Sequence, residues 1–163
     1  LMIVYTKPVS AADEYDLLRA KWRETLIGSS SYSVTDPNIA ARITAITTKA
    51  QGLWDSMIKT PTRTTLWNGM NFNGSASKTV TDAYTNLRDL ALAYSTRGSS
   101  LEGNTTLRDD IINGLDWMNT NVYYSGVVQY QNWWQWQIGT PLMLNDITVL
   151  MYDDLTPTQI KMF

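Results

Sequence analysis

Between residues 131 and 141 the chain reads Gln131-Asn132-Trp133-Trp134-Gln135-Trp136-Gln137-Ile138-Gly139-Thr140-Pro141, and this is the stretch whose residue types could act on a ligand. Consecutive positions on a helix diverge by about 100°, so Trp133, Trp134 and Trp136 cannot all face one core. At least one ring must be exposed or turned into a cleft. Indole faces stack on the C–H faces of sugar rings, and the interleaved Asn and Gln offer uncharged donors and acceptors to hydroxyls. That combination suits a polysaccharide groove. An aromatic knot locking two helical hairpins together is the other reading the composition leaves open. The wider chain has seven Trp and nine Tyr but only two Phe, a bias toward rings that carry a polar edge. Such rings suit half-wet surfaces, although taken singly they more often fill gaps between helices.

Missing residue types close off much other chemistry. With no Cys and no His, the chain has no thiol nucleophile, disulfide, thiolate zinc site, imidazole base, Ser–His dyad or HExxH zinc helix. Lys and Arg number 13 against 15 Asp and Glu, a net charge of −2. The isoelectric point is near 5.0 and there is no basic run, so nucleic acid is not an expected partner. The adjacent carboxylates Asp13-Glu14, Asp109-Asp110 and Asp153-Asp154 could suggest metal or glycosidase chemistry. Asp13, Asp109 and Asp110 fall in or near first helical turns, where acids complement the dipole, and the last pair reads as solvated loop at a helix end. Arg88, Arg97 and Arg108 sit where helix surfaces carry charge, with attraction of a polyanion as their alternative use. Asn104-Thr105-Thr106 matches a glycosylation sequon, which would be meaningless if the source were bacterial. The apolar start at residues 1–5 is far too short for a signal h-region or a membrane span, and reads as a stub left after processing. No cofactor, metal or membrane is implied.

Helices must position the aromatic stretch. The length of 163 residues suits one domain with a sizeable core, and 44% apolar with 17% charged residues reads as ordinary globular protein. Ser10 and Asp13 resemble a capping box ahead of a stripe Tyr15, Leu18, Trp22 and Leu26, which Gly28 stops. Asp36 and Pro37 open a second helix whose stripe is Ile39, Ile43, Ile46, Ala50, Leu53 and Met57, at spacings of 4, 3, 4, 3 and 4. Residues 60–78 read as a long irregular connection carrying Trp67, which could be core or surface, and Phe72. A third helix is predicted over 79–97 with Val80, Tyr84, Leu87, Ala91 and Tyr94 inward, ended by Gly98. Asn104 caps a fourth with Leu107, Ile111, Leu115 and Met118 aligned. Residues 122–130 could form a brief extended piece. Pro141 starts a fifth helix through Leu142, Ile147, Leu150 and Met151. Trp22, Trp54 and Trp117 sit in helical patterns and are expected in the core. The fold class is all-α, antiparallel helical hairpins of about 15–20 residues each.

Thr156-Pro157-Thr158-Gln159 combines an N-cap, Pro at the first helical position and a capping box, yet four residues follow it. A helix opening this well should run for about three turns or more, so the chain is expected to be one piece of a longer protein. Cut there, inner faces such as the 39–57 stripe would be left exposed.

Asn-Trp-Trp-Gln-Trp-Gln-Ile-Gly-Thr-Pro at 132–141 strongly resembles the Asn-Trp-Trp-x-x-(Glu/Gln)-(Ile/Leu)-Gly-x-Pro signature of the family 8 polysaccharide lyases, the hyaluronate, chondroitin and xanthan lyases. Segments 14–28, 36–42, 87–93, 98–104, 115–118 and 144–154 are similar in the same order, covering nearly the whole chain after residue 12. Gln137, where the hyaluronate and chondroitin enzymes usually carry Glu, and the run 144–154 resemble the xanthan lyase branch. The resemblance implies that residues 11–163 are the N-terminal portion of an incomplete α/α toroid, after an extension at 1–10. It implies a secreted bacterial enzyme that cleaves the bond to a uronic acid by β-elimination, leaving an unsaturated uronate. The family's catalytic Asn, His and Tyr would lie beyond this chain, which would contribute substrate binding through Asn132, Trp133 and Trp134. Trp136 would be structural. The implied partners are an acidic polysaccharide and the remainder of the same lyase. A non-catalytic helical carbohydrate-binding or assembly module is the competing reading.

Overall fold

A computed structural model describes residues 14–163, so the capping box at Ser10 and Asp13 and the extension at 1–10 lie outside the described residues. Among the described residues six α-helices follow one another: α1 Asp16–Ile27, α2 Pro37–Ser56, α3 Lys78–Ser95, α4 Thr105–Asn121, α5 Thr140–Met151 and α6 Pro157–Met162. A π-helical turn, Gln135–Gly139, runs directly into α5. Among the described residues there is no strand, and the 122–130 segment is irregular rather than extended. An isolated antiparallel bridge joins Met57 to Trp67.

The helix starts are local chemistry. Asp36 Oδ1 accepts from the backbone N–H of Asn38 at 2.9 Å and of Ile39 at 3.1 Å, leaving the N–H-less Pro37 in the first helical position. Asn104 Oδ1 accepts from Leu107 N at 3.0 Å. Thr156 and Gln159 close a reciprocal capping box, and Gln159 Nε2 also donates to the Asp116 carboxylate at 3.0 Å, tying α6 to α4.

The core centres on α3. Val80, Ala83, Tyr84, Leu87, Leu90 and Ala91 are buried against α2, α4 and α5. Lys49 pairs with Asp89, Ile43 lies beside Gly98, and Gly114 faces Leu87, so α2, α3 and α4 run as successive antiparallel hairpins. Thr81 meets Thr140, Arg88 meets Asp146 and Ser95 meets the Leu150 carbonyl, which sets α5 parallel to α3. Gly98 has φ +86°, and a Cβ there would also lie 2.9 Å from Val34 Cγ1, so the α3 terminus needs glycine twice over.

Two expectations about burial fail. Trp22, expected in the core, is 44% exposed, and Trp54 and Trp117 are only half-buried. Tyr15 and Leu18 of the α1 stripe are exposed, because α1 meets α5 through Arg19 and Arg23 on its polar edge and through the Trp22 N–H. The 39–57 stripe, expected to be exposed, is covered: Ile43, Ala50 and Met57 are buried and Ile39, Ile46 and Leu53 half-buried, since α3 lies along it. Both buried carboxylates among the described residues are ion-paired. Asp89 pairs with Lys49 at 2.7 Å, and Asp146 accepts from Arg88 Nε at 2.6 Å and from Trp22 Nε1 at 2.9 Å, so one polar chain links four helices. Burial without such partners would cost several kcal/mol per ion.

Candidate functional site

Gln131 turns the chain into the aromatic stretch with φ 56°, in the left-handed region that a non-glycine residue adopts only under constraint. Its side chain supplies the constraint. Oε1 accepts from Ser77 N at 3.3 Å and Nε2 donates to the Ser75 carbonyl, while Asn132 N donates to Ser77 Oγ at 3.2 Å. The bend is thereby fastened to the segment that opens α3. Asn132 Oδ1 then accepts from Trp134 N at 3.0 Å, capping the helical run that starts at residue 133. Its Nδ2 donors bond to nothing among the described residues.

In the π turn Thr140 N donates to the Gln135 carbonyl, and Thr81 Oγ1 donates to the same oxygen at 3.3 Å. The turn distributes the three indoles unequally. Trp136 is 2% exposed, donates Nε1–H to the Tyr130 carbonyl at 2.9 Å, and lies between the Tyr123 ring at 6.0 Å and the Tyr130 ring at 4.9 Å. Trp133 is 58% and Trp134 42% exposed. Neither donates its indole N–H to any group among the described residues. Ile138 in the π turn and Leu142 in α5 are also exposed. Trp136 is thus structural, as the sequence implied, while Asn132, Trp133 and Trp134 stand together at the head of one helix.

The surroundings are electrically quiet. Between Asp116 and Asp146 the sequence carries no charged residue. Burial pushes the Tyr123 and Tyr130 phenols up from their ordinary value; Tyr123 donates its hydroxyl to the Trp136 carbonyl at 2.7 Å, and both rings pack on Trp136. The arginines considered for attraction of a polyanion are engaged elsewhere: Arg88 with Asp146, Arg97 with the Tyr32 carbonyl and ring, Arg108 with Asp109. Asp110 accepts from Trp54 Nε1 at 2.7 Å, and Asp154 accepts from Tyr94 OH at 3.0 Å rather than lying in open loop. Sequence reasoning placed Gln131 in the aromatic stretch without its clamping role and missed Thr81 altogether. The left-handed φ of Gln131 has no local sequence signature, and Thr81 lies about fifty residues from the patch it supports.

Residues 22–163 match the model of the N-terminal alpha-helical domain of polysaccharide lyase family 8. The chain belongs to this family. It is 41% identical over 154 residues to a xanthan lyase of Bacillus sp. (strain GL1), covering 94% of this chain and 16% of that protein. It is 34% identical over 155 residues to a hyaluronate lyase of Enterococcus faecalis, covering 95% of this chain and 15% of that protein. Among solved structures, a Paenibacillus xanthan lyase superposes with a TM-score of 0.89 at 58% identity over 93% of this chain and 14% of that one. A Streptomyces coelicolor chondroitin AC lyase in complex with chondroitin sulphate superposes with a TM-score of 0.84 at 34% identity, over 93% of this chain and 20% of that one. The chain therefore spans about a sixth of the length of these curated family 8 relatives. As a family 8 domain its helical hairpins form part of an α/α toroid.

Proposed function

We propose that this family 8 domain seats an acidic, uronate-containing polysaccharide for β-elimination by a secreted bacterial lyase, with xanthan-like polymers first and hyaluronan or chondroitin next. The catalytic Asn, His and Tyr that the family resemblance implies lie outside this chain, and the remainder of the lyase is its working partner. The observation that carries the reading is the pair of exposed indoles, Trp133 and Trp134, with uncommitted N–H groups beside the open amide of Asn132. Indole faces stack on sugar C–H faces, and the two N–H donors and the Asn132 amide reach hydroxyls. A neutral patch orients such a polymer without competing for its carboxylates, leaving charge neutralisation at the uronate to the catalytic residues.

The test is binding and turnover of xanthan, hyaluronan and chondroitin by the lyase carrying Trp134→Ala. Loss of affinity for one polymer, with a parallel loss of unsaturated uronate product, supports the assignment. Unchanged binding and turnover on all three overturns it.

A further inference from the structure

Gly139 sits inside a continuous helical run with φ −61° and ψ −52°, a conformation any residue adopts, so backbone freedom does not explain a glycine there. Glycine is also a poor helix former, which makes its place in the middle of the run unfavourable by itself. The explanation is a ring. A Cβ built on Gly139 would lie 2.5 Å from Trp134 Cζ3, 3.0 Å from Trp134 Cε3 and 3.2 Å from Thr81 Oγ1. The π turn creates this contact. In an α-helix residue i stacks over i+3 and i+4, whereas the wider i→i+5 turn brings the fifth residue on, Gly139, beneath Trp134. Thr81, itself bonded to the Gln135 carbonyl and to Thr140 Oγ1 at 3.0 Å, closes the side of the seat. The ring is thereby held on one side while the residue stays 42% exposed on the other.

We propose that Gly139 is a positioning residue: its missing side chain is the seat for the Trp134 ring, fixing the indole as a rigid stacking platform. The part concerning polysaccharide rests on the function proposed above; the seating of the ring does not. Because Trp134 borders solvent, a Cβ at 139 displaces the ring outward more readily than it disrupts the core.

The experiment uses the protein labelled with 5-fluorotryptophan, with Trp134→Phe assigning the Trp134 resonance. Gly139→Ala is expected to shift that fluorine resonance while leaving those of Trp22, Trp54 and Trp67 in place, and to weaken xanthan binding about as much as Trp134→Ala does. A shifted resonance with unchanged binding of xanthan and hyaluronan upholds the seat and overturns only the polysaccharide role of Trp134. An unmoved resonance overturns the proposal whatever binding does. A second measurement covers the case in which Gly139→Ala folds poorly. In the Trp134→Ala background, where only the 3.2 Å approach to Thr81 Oγ1 remains and Ala favours the helix, the same substitution should lower the thermal midpoint much less than in the native background. A fall in the Trp134→Ala background as large as in the native background overturns the proposal.

Discussion

Trp134 and Trp136 belong to one helical run, yet the fold treats them in opposite ways. Trp136 is enclosed by Tyr123 and Tyr130 and gives its N–H to a backbone carbonyl, whereas Trp134 and its neighbour Trp133 keep face and N–H open. The same division runs through the other indoles. Trp22, Trp54 and Trp67 donate to Asp146, Asp110 and the Leu53 carbonyl, and Trp117 packs on Phe72 with ring centroids 6.0 Å apart. An indole whose donor is engaged inside the protein is part of its framework, even when, like Trp22, it is partly exposed. One with an open donor on an open face keeps both its stacking surface and its N–H in contact with water. Trp133 and Trp134 combine an unengaged N–H with an exposed ring, whereas Trp117, with no bond to its N–H among the described residues, is half-buried and packed on Phe72.

The sharpest way to break that comparison is Trp136→Ala. Loss of a fully buried indole should cost about 3–5 kcal/mol of unfolding free energy, measured by urea denaturation; a cost no larger than that of Trp134→Ala would abolish the distinction. Next comes Asp146→Ala, which strands the Arg88 guanidinium and the Trp22 N–H. About 2–3 kcal/mol is expected, less than for a fully enclosed pair because Arg88 keeps partial access to water. Red-shifted Trp22 fluorescence should accompany it if that indole is framework. Trp134→Ala should weaken polysaccharide binding by roughly 1–3 kcal/mol, taking ring stacking on nucleobases as the guide. Its unfolding free energy should move by less than about 1 kcal/mol, and a loss confined to stability would place Trp134 with Trp136.

The buried aromatic cluster also predicts a pH dependence. Burial, reinforced by Tyr123, raises the Tyr84 phenol well above its ordinary 10.0. The folded state therefore holds a proton that the unfolded chain releases as pH rises past 10.0. Stability from this group is complete below that pH and is lost above it, by about 1.4 kcal/mol per pH unit. Thermal midpoints measured up to about pH 11 check the slope. The smallest effect is expected at Gln131→Gly. It removes the bonds to Ser75 and Ser77 but relieves a left-handed backbone, so the two changes should offset to within about 1 kcal/mol. Calorimetry showing a much larger loss would make the Gln131 clamp the chief support of the patch.

Much of the fold was legible because helix starts are local. Asp36 with Pro37, Asn104, and Thr156 with Gln159 cap the helices they announce, since each side chain bonds to N–H groups within three residues of itself. The stripes of α2, α3 and α4 likewise face the core as their spacing requires. Periodicity failed on α1, where it marks an apolar stripe without specifying what covers it. Trp22 lies on that stripe, but its most specific contact is with a carboxylate 124 residues away. The site motif at 132–141 was visible as residue types and as a family resemblance, while the roles of Gly139 and Thr81 were not. A glycine required by a ring above it looks, in sequence, the same as one required by a turn.

By itself the sequence determined an all-helical chain, its caps, its membership of a lyase family, and the fact that three neighbouring indoles could not share one core. Only the tertiary structure decided which indole went inside. The 122–130 segment carries Tyr123 and Tyr130 back onto position 136, and the π turn alters the register so that Trp134 comes to rest over Gly139. Both depend on contacts between residues that local propensity does not couple: a side chain's angular position follows from the helix, but the surface that receives it is supplied by another part of the chain.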